Sequence, residues 1–261
     1  MMNNEINAIV AIAMRDITKL FRDRTRILAS FVFPMIFIGV LGSSLQANLS
    51  GDLGYNFLTF VFIGVLAQTL FQSTAGGIIS LIEDRQNDFA QELFISPISR
   101  YSIIIGKIVG ETLVSFVLAM MVLLFGLVIR IPLDLAALMR LIPVTLIASL
   151  FGGSFGVIVM SNISEQRTAN QIFPFLLFPQ FFLAGVFNPI KHLPWPLLIA
   201  SRIAPMTYAV DLFRSVYYYG KPEYAKTVVF NPGIDILVSV VLFVIFISVG
   251  TVVFVRNEKN R

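Results

Sequence analysis

The chain of 261 residues contains no cysteine, one histidine and little charge. Without cysteine, disulfides and thiolate chemistry are excluded, and the redox compartment cannot be inferred. The sole histidine, His192, cannot by itself supply a metal cluster or a Ser–His–Asp site. Charged residues make up 13% of the chain and apolar residues 57%, whereas soluble domains are about a quarter charged. These shortages predict a membrane protein that is not an enzyme and carries no metal or cofactor of its own.

Phosphate-binding loops are also missing. Gly106-Lys107 and Gly220-Lys221 lack the upstream glycine and the following Ser or Thr that cradle a nucleotide. The net charge of +4 is small and is concentrated between apolar segments, which indicates topology signals rather than nucleic-acid binding. Any energy source must therefore come from another chain.

Apolar runs of membrane-spanning length fill the chain between Ile27 and Val255. Because lipid offers backbone groups no hydrogen-bond partners, such runs are expected to be helices. We predict an all-α integral membrane protein with one permease-like domain over 1–261, built from a six-span bundle over 27–255 and a cytoplasmic tail at 256–261. The expected spans are 27–47, 57–82, 101–130, 136–160, 168–187 and 234–255.

The segment 1–26 has the pattern of an amphipathic helix. Apolar residues recur at helical spacing from Ile6 to Phe21, and Arg15, Lys19 and Arg22 fall on the opposite side. Such a basic helix is expected to lie in the membrane interface. The alternative is a soluble helix packed on a partner.

Basic residues predict the orientation. Lys and Arg cluster before residue 27, between 85 and 107, and in the tail, whereas the joint at 48–56 has none. The positive-inside rule then places both termini and the joint at 83–100 in the cytoplasm. The segment 188–233 carries five basic residues on the outside, but long loops count for less in that rule.

Between the fifth and sixth expected spans, Pro205 separates two apolar stretches that are too short to cross a bilayer. This pattern predicts a re-entrant or surface-lying helical hairpin at the outer leaflet. Its candidate residues are Pro194, Trp195, Pro205, Tyr208, Asp211 and Arg214.

The joint at 83–100 combines charged residues with an apolar edge formed by Phe89, Leu93 and Phe94. The residue before a proline avoids helical geometry, so a short helix is expected to end before Pro97. A short helix joined rigidly to two spans can transmit the motion of a partner. The alternative is an ordinary solvated loop helix, and the residues alone leave both open.

Two segments resemble signatures of type-2 ATP-binding-cassette permeases. The first is Asp84-Arg85, then Phe89-Ala90-Gln91-Glu92-Leu93-Phe94-Ile95-Ser96-Pro97-Ile98-Ser99-Arg100, followed by Gly106-Lys107. The second is Phe182-Leu183-Ala184-Gly185-Val186-Phe187-Asn188-Pro189, then Leu193-Pro194, then Ala204-Pro205-Met206-Thr207-Tyr208-Ala209-Val210-Asp211 and Arg214. The resemblance covers nearly the whole chain. Asp88 departs from it where a small residue such as glycine is expected, and Ala204 departs where asparagine commonly precedes the proline.

The resemblance implies the permease subunit of an ATP-driven exporter in the cytoplasmic membrane of a prokaryote. ATP and magnesium would bind a separate cassette ATPase, and a second permease copy, identical or paralogous, would complete the pathway. The helix at 83–96 would dock on the ATPase, and the hairpin at 190–219 would close the exit. The implied coupling residues are Asp84, Arg85, Asp88, Phe89, Glu92, Leu93, Phe94 and Pro97.

Polar residues inside spans are costly in lipid and are candidates for a pathway or gate. Glu111 follows Lys107 by four residues, so it is either a charge partner of that lysine or a gating or substrate residue. Four glutamines either line a pathway or hydrogen-bond between helices; they are Gln68, Gln72, Gln171 and Gln180.

The Phe-rich fifth span and the few buried charges favour a lipophilic or amphipathic substrate, such as a drug or antibiotic. Export of a lipid-linked polysaccharide or glycolipid is the alternative. A channel or structural module that needs no ATPase would predict a polar or acidic ring in the spans, and the sequence has neither. Expected partners are thus the ATPase, a second permease and membrane lipid, but no nucleic acid.

Overall fold

The computed structural model describes residues 2–44, 46, 54–86, 99–163 and 165–259, without the side chains of 2–4, 41, 83–86, 192 and 258–259. The regular structure of these residues is helical. The helices are α1 (Met2–Arg22), α2 (Arg24–Ile36), α3 (Phe57–Gln86), α4 (Arg100–Val128), α5 (Leu135–Met160), α6 (Gln166–Leu183), α7 (Trp195–Ile203), α8 (Pro205–Tyr217), α9 (Tyr224–Thr227) and α10 (Pro232–Lys259). A π-helical segment, Phe37–Gly42, continues α2, and a 3₁₀ turn, Ile190–His192, precedes α7.

Four described segments are long and apolar enough to cross a membrane. They are Phe57–Ile82, Arg100–Val128, Leu135–Met160 and Tyr224–Asn257, which correspond to the second, third, fourth and sixth expected spans. The protein is therefore a multi-pass, all-helical membrane protein.

The first and fifth expected spans fall on helices of a different character. The α2 helix passes into the π-helical segment after 13 residues, and α6 carries Arg167, Asn170 and Gln171 in its first turns and two internal prolines. Four of the six expected spans therefore meet the length and hydropathy requirements, and the six-span count stays a prediction.

Burial differs sharply among the four spans. The apolar window of Phe57–Ile82 is 83% buried inside the chain, whereas that of Tyr224–Asn257 is 17% buried. Since both are apolar, the first is the centre of the bundle and the second exposes most of its surface to lipid. The α3 helix contacts α4, α5, α6 and α8, so it positions the other helices.

The amino-terminal helix has three faces. Its buried face, which includes Ala13 and Leu20, packs along α4. A second face is apolar but exposed and includes Val10 and Met14, while polar residues such as Arg22 occupy the third. The segment Met2–Arg22 is therefore a helix attached to the bundle of its own chain, and its place in the membrane interface stays a prediction.

Glycines permit close helix contacts at two interfaces. On α5, a Cβ at Gly156 would lie 2.5 Å from the carbonyl oxygen of Ala75 on α3. On α4, a Cβ at Gly110 would lie 3.0 Å from the Cα of Ala13 on α1. These distances leave no room for a side chain. Gly152 and Gly106 lie four residues earlier on the same two helices, and Gly-xxx-Gly spacing of this kind lets helix backbones approach each other.

We expect Gly156→Ala to destabilise the bundle by about 1–3 kcal/mol, because the added methyl forces α5 away from α3. Thermal unfolding of the purified chain in detergent measures this. The matched control is Gly39→Ala, where a Cβ meets nothing within 4 Å and an alanine is expected to be neutral or stabilising. Equal effects of the two substitutions would contradict the close packing of α3 on α5.

Candidate functional site

A cavity of about 560 Å³ lies between α1, α2, α3, α4 and α6. One wall is polar and belongs to α3, where Gln68 Nε2 donates to Gln72 Oε1 at 3.4 Å. Gln68 Oε1 and Ser73 Oγ have no hydrogen-bond partner among the described residues. Both atoms are buried, so the half-buried Gln72 presents the more accessible amide of this wall to the cavity.

Apolar and charged groups complete the lining of the cavity. Its apolar residues come from four helices, and they are Phe33, Pro34, Ile79, Leu118 and Phe173. Charged residues stand where α1 meets α2, and they are Lys19, Asp23 and Arg26. A mixed lining of this size suits a drug-sized ligand with both apolar and hydrogen-bonding parts.

Beside the cavity, four charged side chains form a network. Lys107 Nζ on α4 donates to Asp16 Oδ2 on α1 at 2.8 Å and to Glu111 Oε1 at 2.9 Å. Arg26 Nη2 on α2 donates to Glu111 Oε2 at 3.0 Å. Two positive and two negative charges therefore balance, and they join three helices. We call these four residues the charge network.

The charge network is almost completely shielded from solvent. The side chains of Asp16, Lys107 and Glu111 are 0–1% exposed, whereas Arg26 is 26% exposed and also lines the cavity. Burial raises the pKa of the Asp16 carboxyl, and the Lys107 ammonium opposes that shift. Arg26 is thus the member that connects the buried ion pairs to the cavity.

Small residues make space for the charge network. A Cβ at Gly77 of α3 would overlap the carboxylate of Glu111, and one at Gly110 of α4 would lie 2.8 Å from Asp16 Oδ2. The structure therefore confirms that Lys107 and Glu111 are charge partners, as one sequence interpretation held. It places Glu111 beside the cavity rather than in its lining.

The amino-terminal helix also contacts the start of α4. The Glu5 carboxylate accepts the backbone N–H of Ser99 at 3.1 and 3.2 Å, and Ser99 is the N-cap of α4. Since Ser99 follows the expected coupling segment directly, α1 holds both the beginning and the middle of α4.

The expected ATPase-coupling residues fall largely beyond the described part of the chain. The backbone of α3 continues without a break to Gln86, so Asp84 and Arg85 end that helix rather than begin a separate one. Their side chains lie outside the described set. The remaining candidates lie outside the described residues altogether, and they are Asp88, Phe89, Glu92, Leu93, Phe94 and Pro97.

The glutamines expected to line a pathway separate into three environments. Gln68 and Gln72 line the cavity. Gln171 is exposed on α6 and is absent from the cavity lining. Gln180 is buried, and its Oε1 accepts the backbone N–H of Met206 at 3.2 Å. It therefore makes the hydrogen bond between helices that was the alternative interpretation.

The contact of Gln180 compensates for an unusual residue in the sequence. Ala204 is the N-cap of α8 and offers no side-chain oxygen to the free N–H groups of the first turn. The Gln180 amide supplies that oxygen from the neighbouring helix. Gln180, which lies 24 positions before Ala204 in the chain, thus caps the first turn of α8.

Two short helices, α7 and α8, occupy the sequence where the outer hairpin is expected. Pro194 is the N-cap of α7, Trp195 begins it and is 73% exposed, and Pro205 begins α8. The hydroxyl of Tyr208 donates to the carbonyl of Arg202 at 2.7 Å. This bond ties the two helices across Pro205.

Arg214 is the largest fully buried side chain of this region. Its Nη2 donates to the carbonyls of Gly185 and Val186 at 2.6 and 3.2 Å, just after α6 ends. Its guanidinium carbon lies 3.5 Å from the ring centroid of Phe60 on α3, a cation–π distance. One side chain thereby joins α8, α6 and the centre of the bundle.

Asp211 anchors the loop that follows α9. Its carboxylate accepts the backbone N–H groups of Val229 at 2.9 Å and Phe230 at 2.7 Å. Charge-assisted bonds of this kind are strong. The hairpin residues Asp211 and Arg214 therefore hold backbone at the two sides of α8, and neither lines the cavity.

Comparison with known proteins decides what kind of protein carries this site. The model for the ABC-2 type transporter family matches residues 7–218. This chain belongs to the ABC-2 type transporter family. The match takes in α1, the charge network, the cavity and the α7–α8 hairpin.

Two curated proteins extend this result. A protein of Cyanophora paradoxa named putative transport permease ycf38 is 22% identical over 261 residues, which cover 98% of this chain and 90% of that protein. The probable multidrug ABC transporter permease YbhR of Escherichia coli strain K12 is 28% identical over 144 residues, which cover 53% of this chain and 38% of that protein. Both are named as transport permeases, that is, as membrane subunits of transporters rather than enzymes.

Sequence reasoning missed two members of the charge network, Asp16 and Arg26. A signal for Asp16 was present, because it lies four residues after Ile12 and four before Leu20 on a face that is otherwise apolar. An acid on such a face is costly in its charged form unless a buried cation pairs with it. Arg26 gave no comparable signal, since it resembled the other basic residues before the first expected span.

Lys107→Met is expected to destabilise the protein by about 3–5 kcal/mol, because it leaves the Asp16 and Glu111 carboxylates buried without their ammonium partner. Thermal unfolding in detergent gives the measurement. Lys226→Met, the same substitution at an exposed lysine, serves as control and is expected to change stability by about 0.5 kcal/mol or less. A Lys107→Met protein as stable as the control would show that the network does not hold the helices together.

Proposed function

We propose that this chain is the membrane permease of an ATP-driven exporter that works with a separate cassette ATPase. Family membership supports this, because members of the family usually act with an ATPase subunit. The observation that carries the proposal is the cavity, which borders the same helices that the charge network joins to α4. A partner's force on the segment before α4 can therefore change the shape of a ligand-sized space.

The proposed transmission starts in the segment 83–98, where the ATPase docks. Its carboxyl end is Ser99, whose backbone is bonded to Glu5 of α1. Further along α4, Lys107 binds Asp16 of α1, and Glu111 binds Arg26 of α2. Since these contacts join α1, α2 and α4, the three helices move as one body when the docking segment is displaced.

The opposite wall of the cavity belongs to α3, the most buried span. Movement of α1, α2 and α4 against this fixed helix widens or narrows the space between them. The outer hairpin, tied by Arg214 and Asp211, closes the other end of the pathway. The positive-inside pattern supports this orientation, with the termini and the docking segment in the cytoplasm of a prokaryotic cell.

The proposed substrate is lipophilic or amphipathic and drug-like. Phe33, Phe173 and Leu118 supply apolar surface, and Gln68 and Gln72 supply hydrogen-bonding groups. A volume of about 560 Å³ matches drug-sized ligands. A lipid-linked polysaccharide would need a wider passage, so the cavity favours the smaller class.

A second permease copy is proposed to face this cavity. The α2 and α6 helices, which border the cavity, expose large apolar side chains, among them Leu28, Ile36, Phe175 and Phe178 at 52–78%. Contiguous exposed apolar surface on cavity-lining helices is typical of a surface that a partner or lipid covers. Pairing two such faces would enclose the pathway.

Docking of the ATPase is tested with the double variant Phe89→Asp/Leu93→Asp, which changes the apolar edge of the docking segment. We expect the double variant to lose co-purification with the ATPase and to lose stimulation of ATP hydrolysis, because two carboxylates replace the apolar contact. The permease should keep its thermal unfolding temperature. Gln91→Asp, which adds charge away from this edge, is the control and should bind the ATPase normally. Normal binding by the Phe89/Leu93 variant would refute the docking assignment.

Recognition in the cavity is tested by Gln72→Leu, with Gln171→Leu as a matched control outside the cavity. Gln72→Leu should lower transport of substrates that carry hydrogen-bonding groups by about tenfold, corresponding to roughly 1.4 kcal/mol for a lost polar contact. Transport by the reconstituted permease–ATPase complex is the measurement. Equal transport by both variants would exclude the α3 wall from substrate recognition.

A further inference from the structure

Asp235 is a buried acid without a partner at the beginning of α10. Its residue is 0% exposed, and both carboxylate oxygens lack a hydrogen-bond partner among the described residues. Ser239, one turn further along the same face, is 1% exposed, and its hydroxyl also lacks a partner there. Two unsatisfied polar groups therefore lie next to each other inside the packed end of α10.

The α8 helix packs against α10 and contributes two ionisable groups near Asp235. Asp211 lies within electrostatic range of Asp235, but its carboxylate already accepts the N–H groups of Val229 and Phe230. Tyr208 also lies within range, but its hydroxyl donates to the carbonyl of Arg202. From α8, Asp235 thus receives repulsion from one acid and no hydrogen bond.

The other neighbouring helices supply no counter-charge. Tyr224 of α9 lies within electrostatic range of Asp235 and is neutral at physiological pH. The α5 helix also packs on α10, and its Arg140 is directed to the ring of Tyr219 at 5.8 Å. Arg214 is directed to Phe60 and the end of α6. Lys191, which lies within range of Asp211, donates to the carbonyl of Ala225 at 2.6 Å. Asp235 thus has no hydrogen-bonded cation among the described residues.

An ionised carboxylate in such a place is expensive, because it loses its hydration without gaining an ion pair. A second acid beside it raises that energy further. We propose that Asp235 is a proton-binding site: it is held as a neutral carboxylic acid while α8 and α10 are packed, and release of its proton to water loosens the outer hairpin. Asp211 keeps its charge, because the two amide donors stabilise it.

Nothing larger than a proton fits this site in the packed state. The carboxylate oxygens of Asp235 have essentially no accessible surface, and a metal cation would need several oxygen ligands around an open space. Proton binding and hairpin closure are therefore linked. Acid favours the packed hairpin, and alkaline conditions favour its separation, since the charged form of Asp235 is stable only when water reaches it.

The protonated state is tested by infrared difference spectroscopy on the purified full-length chain in lipid. We expect a carboxylic C=O band near neutral pH that shifts in heavy water and is missing in Asp235→Asn. Asp134→Asn, which removes an exposed acid at the N-cap of α5, should retain the band. A wild-type spectrum without this band would overturn the proposal.

Loosening of the hairpin is tested by thiol labelling, which the absence of native cysteine makes site-specific. Ser239→Cys should react severalfold faster at about pH 9 than at about pH 6, relative to Ala225→Cys, which is exposed at both. In the Asp235→Asn background the ratio should stay constant and low. A pH-dependent ratio that survives Asp235→Asn, or an unchanging wild-type ratio, would contradict the linkage.

The side from which the proton comes rests on the proposed function, because that proposal places the hairpin outside the cell. The spectroscopic band and the labelling ratio need neither ATPase nor substrate. Failure of these two measurements would therefore reject the proton site and leave the exporter proposal standing. If the ATPase does not dock as proposed, the exporter proposal is rejected and the proton site is left standing.

Discussion

The contacts of one ammonium group, that of Lys107, determine how the first half of the chain is assembled. Alone, this group would be very costly inside an apolar bundle. It is stable because Asp16 arrives from α1 at 2.8 Å and Glu111 lies one turn away at 2.9 Å. Arg26 then balances the second carboxylate at 3.0 Å. Removing any one of the four side chains would leave a buried partner without its counter-charge. The ion pairs therefore fix the position of α1 on α4 and the direction of α2 together.

Under the proposed function, the same ion pairs decide which helices move together. The α1, α2 and α4 helices are joined by charge-assisted bonds, while α3 is joined to α5 by close backbone contact at Gly156. The cavity lies between the ion-paired group and the central helix α3. A transporter needs a space whose walls belong to bodies that can shift as units, since packed interiors do not deform continuously. Under the proposed function, the ion pairs and the glycines define these two bodies, which meet where Gly77 of α3 packs against Glu111 of α4.

Hydropathy predicted the helices α3, α4, α5 and α10 to within about four residues at each end, because apolar length is a property of local sequence. Near neighbours also predicted the break at Pro205 and offered the pairing of Lys107 with Glu111 as one of two interpretations, whereas the outer position of the hairpin stays a prediction. The partners of Glu111 and Gln180 in other helices, Arg26 and Met206, depend on how distant segments pack. A single sequence gives no measure of that packing. The first and fifth expected spans stay predictions, because a π-helical segment interrupts the helix of the first, and polar residues and two prolines interrupt the apolar run of the fifth.

The two ends of the bundle satisfy buried charge in different ways. At one end, side chains neutralise one another in the charge network. At the other, Arg214 binds carbonyls that follow α6, and Asp211 binds amides that follow α9, so the charges there are stabilised by loop backbone. A side-chain network can move with its helices and stay intact, whereas bonds to loop backbone break when a helix leaves its loop. The first arrangement suits transmission of force, and the second suits a closure that opens as a discrete step.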